Sequence, residues 1–337
     1  LFGQKVEDVG VRAAATSASD AVAMAAYHPK GLPNEMPGKA SNTRWAAQRL
    51  WEFIEDPSSG IDEHKVIITV ADADSDFHSV YFEGLTYKVC TTPDKALREV
   101  TVWQSPIMHY KNYHSQPAVV KLCSLFVTQH ELANLSDDSA TPLPYSTYSL
   151  TSNLAKRVGG WDPDWISEDW HMFLKCFLGT GGRARVSPIM LPVINYTPED
   201  DTWWSTIWAR WTQAKRHALG IAEMVYYMAS LPTVLSELED WGAVWYLLGR
   251  GIPIIYKMFA IHIVMGTYWI FSMANGPLWY WIYTHPEENQ LGDWRNFWLF
   301  LNITMGVVAT ICFLLLNVFN ITLYNGIADR IVPVPEG

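Results

Sequence analysis

Two stretches of this 337-residue chain carry no Asp, Glu, Lys or Arg: residues 258–286 and residues 296–328. Each is longer than the roughly 20 apolar residues that cross a bilayer core. Trp and Tyr gather at their ends, where a membrane interface favours rings with one polar edge. Core helices of a large soluble domain would seldom need two such segments. His262, Asn275 and Pro277 interrupt the first stretch. It reads as one span with a re-entrant or interfacial piece at residues 276–283, whereas 297–323 reads as a clean span. Arg210, Lys215, Arg216, Arg250 and Lys257 precede the first span, while the loop between the spans carries Glu287, Glu288, Asp293 and only Arg295. That asymmetry predicts a cytoplasmic location for residues 1–250 of an integral membrane protein.

The part before residue 220 has a different texture. Short apolar runs alternate with polar helical segments and Pro/Gly breaks, the pattern of an α/β domain. Strands are expected over 21–27, 66–70 and 119–127, and helices over 41–54 and 169–178, the last ended by Gly179, Gly181 and Gly182. Residues 221–250 mix apolar, Trp and acidic side chains and suit helices lying on a membrane surface. The expected organisation is therefore a domain over 1–220, interfacial helices over 221–250, transmembrane helices over 251–328 and a tail over 329–337. The chain opens on Leu1 and closes on Val-Pro-Val-Pro-Glu-Gly, which reads as a fragment cut from a longer protein. A net charge of −10 with no basic run argues against nucleic acid as a partner. Four scattered cysteines, with no C-x-x-C and no His at zinc spacing, read as buried free thiols. The sequons at Asn134 and Asn195 would matter only on a luminal face, which the basic-residue asymmetry opposes.

The chemistry is concentrated in Val66-Ile-Ile-Thr-Val-Ala-Asp-Ala-Asp-Ser-Asp76. An apolar strand with no polar face ends in Asp72 and Asp74. Ligands of open α/β sheets bind at the carboxyl ends of strands, and two hard oxygen donors there can hold Mg²⁺ or Mn²⁺, which in turn holds a phosphate. A calcium loop would need Gly at the sixth position, where Phe77 stands, and a preceding helix. A phosphatase of the haloacid-dehalogenase type would need Thr or Val where Asp76 stands. Further on, Gly159-Gly160-Trp161 leads to Ser167-Glu168-Asp169, with the acids opening a helix and Ser167 as its N-cap. Residues 208–220 contain Gln213-Ala-Lys-Arg216-His217, which taken alone is a basic amphipathic helix at the membrane face.

The order of these motifs resembles that of membrane-bound, cellulose-synthase-like family 2 glycosyltransferases, over residues 38–220 and into the spans. Gly38-Lys39-Ala-Ser-Asn42 looks like the family's Gly-Lys-x-x-Asn segment, and Asp72-Ala-Asp74 like its D-x-D. Ser167-Glu168-Asp169 stands for Thr-Glu-Asp, and Gln213-Ala-Lys-Arg216-His217 for Gln-x-x-Arg-Trp. His217 replaces the Trp that stacks on the acceptor in the family, and the family's first strand and first uridine-binding acid have no counterpart. The resemblance implies an α/β GT-A-like, Rossmann-like nucleotide-sugar-binding domain followed by interfacial and transmembrane α-helices. It implies a nucleotide-sugar donor, a UDP-sugar above all, and a carbohydrate or lipid acceptor at the membrane. Asp72 and Asp74 would bind Mg²⁺ or Mn²⁺ beside the diphosphate. Gln213 and Arg216 would hydrogen-bond that diphosphate, and Lys39 would face the nucleotide. Asp169, with Glu168 beside it, would be the general base of an inverting displacement. Trp161, Trp165 and Trp170 crowd that base and suit either sugar stacking or core packing. The alternative is a catalytically inactive membrane subunit of a polysaccharide synthesis or export complex.

Overall fold

The computed structural model describes residues 14–15, 22–23, 26–136, 142–287 and 294–331. β1 (Ala14–Ala15) and β2 (Val22–Ala23) pair antiparallel. The strand expected over 21–27 is thus two residues long; Ala26 and Tyr27 are outside any strand, and residues 21, 24 and 25 lie outside the described residues. α1 (Lys39–Glu55) covers the helix expected there. Then come β3 (Ile67–Val70), β4 (Asp76–Phe77), α2 (Tyr81–Thr91), α3 (Lys95–Arg98), β5 (Thr101–Gln104) and β6 (Ile107–Met108). α4 (Ala118–Leu135), β7 (Tyr148–Thr151), α5 (Ser152–Arg157), α6 (Glu168–Gly179), β8 (Arg185–Pro188) and β9 (Val193–Ile194) complete the α/β part.

The main sheet has the order β3-β7-β5-β8, with β7 antiparallel to β3 and β5, and β8 parallel to β5. The central strands β5 and β7 are buried at every residue. β3 was expected to be buried throughout, but only Val70 is, because β3 pairs on one side alone. A second, small sheet has the order β4-β9-β6, with β9 antiparallel to β4 and parallel to β6.

The segment over 119–127 is helix, not strand. It is the first half of the 18-residue α4, which starts at Ala118 after Pro117 at the N-cap. Its buried residues include Val120, Ser124, Thr128, Glu131 and Leu135, which recur every three or four positions, with Leu125 and Asn134 beside them. That period overrides the strand preference of three valines.

After the α/β part come α7 (Trp203–Ala218), α8 (Ile221–Glu237), α9 (Trp241–Phe259), a π-helical turn at Ala260–Val264, α10 (Met265–Thr284) and α11 (Arg295–Ile331). Neither Asn275 nor Pro277 interrupts α10, so residues 276–283 are no separate piece. Asn275 instead donates to Asn302 of α11 at 3.0 Å. Among the described residues, three helical runs are long and apolar enough to cross a membrane: Trp203–Glu237, Trp241–Ile263 and Arg295–Gly326. α8 and α9 also bury Tyr227, Leu247, Ile254 and Met258 in the same core as Leu150, Trp161, Phe173 and Phe177. α11 meets the α/β part through Tyr324, which packs on Tyr110 at 5.2 Å between ring centres, and through Asn325, which accepts from the Tyr113 hydroxyl at 2.9 Å. All four cysteines are free, but only Cys176 is buried; Cys90, Cys123 and Cys312 are exposed, contrary to the expectation of four buried thiols.

Candidate active site

β3 delivers the chain to a turn in which Ser75 N–H donates to the Asp72 carbonyl at 3.1 Å. The turn sets Asp72 and Asp74 at the carboxyl end of the sheet. Helix α1 begins at Lys39, and the Lys39 ammonium lies 2.7 Å from Asp72 Oδ1 and 2.9 Å from Glu168 Oε1. It also donates to the Ser146 carbonyl at 2.6 Å. Three acceptors from three distant parts of the chain thus use the donors of one ammonium. Asn195 Nδ2 donates to Asp72 Oδ2 at 3.3 Å, and Tyr196 N–H to Asp74 Oδ2 at 3.0 Å. Lys111 Nζ donates to the Asp74 carbonyl at 3.1 Å. Asn195 is buried in this role, and Asn134 is buried and donates to the Leu143 carbonyl at 2.7 Å. Neither sequon presents a free amide.

Glu168 and Asp169 open α6 as expected, and Asp169 Oδ1 accepts from Trp170 N–H at 2.8 Å. Ser167 occupies the N-cap position but its side chain caps nothing. Burial raises the Glu168 carboxyl against the opposing pull of Lys39. Burial, with the Glu168 charge beside it, pushes Asp169 up to about 8. Burial acts to lower Lys39, but the charges of Glu168 and Asp72 outweigh it and hold the ammonium above its usual value. A carboxyl near 8 beside a half-buried cation is an environment suited to proton transfer near neutrality.

The α7 residues are divided. Gln213 is half-buried and accepts from Arg210, which is itself buried. Arg216 and His217 are exposed, as are Trp204, Trp208 and Trp211. Charge interactions nevertheless tie Asp72 to His109 and His217, and Asp169 and Arg210 to Glu131. Burial, with Arg210 and His217 nearby, holds His109 neutral, down at about 4. His109, Glu131, Asn195 and Arg210 are thus neighbours that the motifs did not reveal. Arg210 carried a faint signal, three residues before Gln213 on the same helix face, and Glu131 another, as a lone acid on the apolar face of α4. His109 carried none.

Two of the three tryptophans expected around Asp169 are used in packing. Trp161 is buried and its Nε1 donates to the Tyr148 hydroxyl at 2.6 Å. Trp165 stacks on His171. Trp170 is half-buried, edge-on to His262 at 5.7 Å. Among the described residues no group of three or more His, Cys, Asp or Glu side chains stands close enough to enclose a metal.

No curated protein matches the chain. The family model described as Glycosyl transferase family group 2 matches residues 67–325, from β3 into α11. A match over most of the chain, running through the D-x-D turn, the Glu168-Asp169 helix start and α7, identifies this protein as a glycosyltransferase and a member of that group.

Proposed function

We propose that the chain is an inverting transferase that moves a hexose from a nucleotide diphosphate sugar, a UDP-sugar first among them, to an acceptor hydroxyl at a membrane. The observation that carries this reading is the Lys39 bridge, which brings Asp72 of the D-x-D turn and Glu168 of the α6 start onto one ammonium. A donor diphosphate would lie along Asp72 and Asp74, and Asp169 would accept the proton of the attacking hydroxyl at the neighbouring helix start.

Mg²⁺ or Mn²⁺ fits this turn. Mg²⁺ is ordinarily held by one or two carboxylates together with substrate phosphates, so Asp72 and Asp74 suffice without a third protein ligand. Asp74 is the more direct of the two, since Asp72 is occupied by Lys39 and Asn195. The ion, when bound, neutralises charge on the leaving diphosphate. Lys39 adds a fixed positive charge beside the same groups. Gln213 and Arg216 reach the diphosphate from α7, Arg216 as a two-pronged donor. Asp169 deprotonates the acceptor as it attacks the anomeric carbon from the face opposite the diphosphate, and one base suffices because the leaving group needs no proton. The α/β domain lies on the cytoplasmic side, with the long apolar helices in the bilayer and His217, beside the exposed Trp204, Trp208 and Trp211, near the acceptor.

An inactive scaffold subunit is the weaker reading, because it has no use for an ammonium shared by Asp72 and Glu168 beside the raised carboxyl of Asp169. The test is product analysis after membranes bearing the full-length protein are incubated with labelled nucleotide sugars and Mn²⁺. One UDP-hexose should give an acceptor-linked product of inverted configuration. A retained anomeric configuration, or no product from any donor, would overturn the proposal.

A further inference from the structure

α6 carries a second charged group two residues past Asp169. His171 is only 3% exposed. Its Nε2 lies 2.8 Å from Asp162 Oδ2 and its Nδ1 3.0 Å from Glu223 Oε2. A neutral imidazole has one N–H and can donate to one carboxylate; two carboxylate partners at these distances call for the imidazolium. Lys175 Nζ lies 2.7 Å from Asp162 Oδ1 and donates to the Gly160 carbonyl at 2.7 Å. Two cations therefore meet two anions. Trp165 stacks on the imidazole, 4.2 Å between ring centres and 21° between planes, and its Nε1 donates to Glu223. Tyr226 is against the ring at 4.4 Å.

These contacts join three pieces of the molecule. Asp162 and Trp165 belong to the segment that leads from Gly160 into the α6 start. His171 and Lys175 lie on α6 itself, and Glu223 and Tyr226 on α8. The backbone ties them further: His171 N–H donates to the Ser167 carbonyl at 3.0 Å, closing the turn that holds Glu168 and Asp169. A buried ion group is a poor source of stability but a demanding geometric constraint, because loss of one member strands a charge.

We propose that His171, as an imidazolium, is a positioning residue for sugar transfer: clamped between Asp162 and Glu223, it fixes the entry segment and the first turn of α6 onto α8, and so sets where Asp169 meets the acceptor hydroxyl. The inference rests on Asp169 being the base. It gives α8 a part in transfer beyond any anchoring role, since the base is aligned against this helix.

The test measures kcat and UDP affinity on the purified full-length protein in lipid nanodiscs, using the UDP-sugar that supports transfer. His171→Gln keeps volume and polarity but cannot donate to both carboxylates. Its kcat should fall about 10- to 100-fold, with the UDP dissociation constant and donor KM within about twofold of wild type. Asp162→Asn, at the more exposed end of the clamp, should fall by a smaller factor in the same way. His171→Gln/Glu223→Gln should be no slower than His171→Gln alone, because the stranded buried carboxylate is gone. Wild-type kcat in His171→Gln overturns the inference, as does UDP binding that weakens in step with kcat. If His171→Gln fails to fold, Asp162→Asn decides, and wild-type kcat there overturns it. Asp169→Asn at full turnover would sink the base assignment and this inference together; Asp169→Asn inactive with His171→Gln fully active would sink this inference alone.

Discussion

At the scale of single residues, the acidity of Asp169 is the sharpest handle. Burial and Glu168 push its carboxyl up to about 8, against an unfolded value of about 3.9. A base must be ionised to act, so kcat/KM should rise about tenfold per pH unit below 8 and level off above it. Asp169→Asn should lose about 10²- to 10⁴-fold in turnover and with it that rising limb, while still binding UDP. Linkage gives a second readout with a definite sign. The native state holds a proton on Asp169 that the unfolded chain has released, so this group costs stability as pH rises from about 4 to 8. Asp169→Asn should therefore gain thermal stability relative to wild type at pH 8 more than at pH 5. For the D-x-D turn, Asp74→Ala should shift the Mn²⁺ activation curve to higher concentration by about tenfold or more, on the scale seen when a metal site loses supporting groups. An unchanged curve would remove Asp74 from the metal.

Elements show where sequence reading succeeds and where it fails. α1, β3 and α6 were legible because their signals are local: helical spacing in 39–55, an apolar run before two acids, paired acids at a helix start. α4 was misread because three valines in a nine-residue window look like strand, and the period that corrects them appears only over 18 residues. The grouping in the candidate site was legible where motifs mark it, as for Lys39, Asp72 and Glu168, which the fold brings together. It was illegible where long-range folding supplies the neighbour. Nothing near His109 or Asn195 in sequence announces Asp72, and nothing near His171 announces Glu223. Packing at the element scale has its own test. Gly251 of α9 leaves room for the buried Tyr227 of α8; a Cβ there would lie 2.0 Å from the Tyr227 hydroxyl. Gly251→Ala should force the two helices apart and cost about 1–3 kcal/mol, read as a lowered midpoint in thermal unfolding of the solubilised protein. An unchanged midpoint would mean that α8 and α9 pack differently.

Over the whole molecule, catalytic and apolar parts form one body. The same core contains Phe173 and Phe177 of α6 with Tyr227, Leu247 and Ile254 of the long helices, and α11 returns to the α/β part through Tyr324 and Asn325. If three helical runs cross the bilayer, the protein should stay in the membrane pellet after washing with alkaline carbonate and leave it only with detergent. Release by carbonate would reduce these helices to surface attachments.

The Lys39 bridge has one more consequence. Asp72 and Glu168 already share an ammonium that the chain supplies itself. Folding and turnover should then respond differently to a chelator. Treatment with EDTA should stop catalysis and leave the melting temperature where it was, unlike proteins whose fold depends on the ion they bind. The candidate site carries a built-in counter-ion.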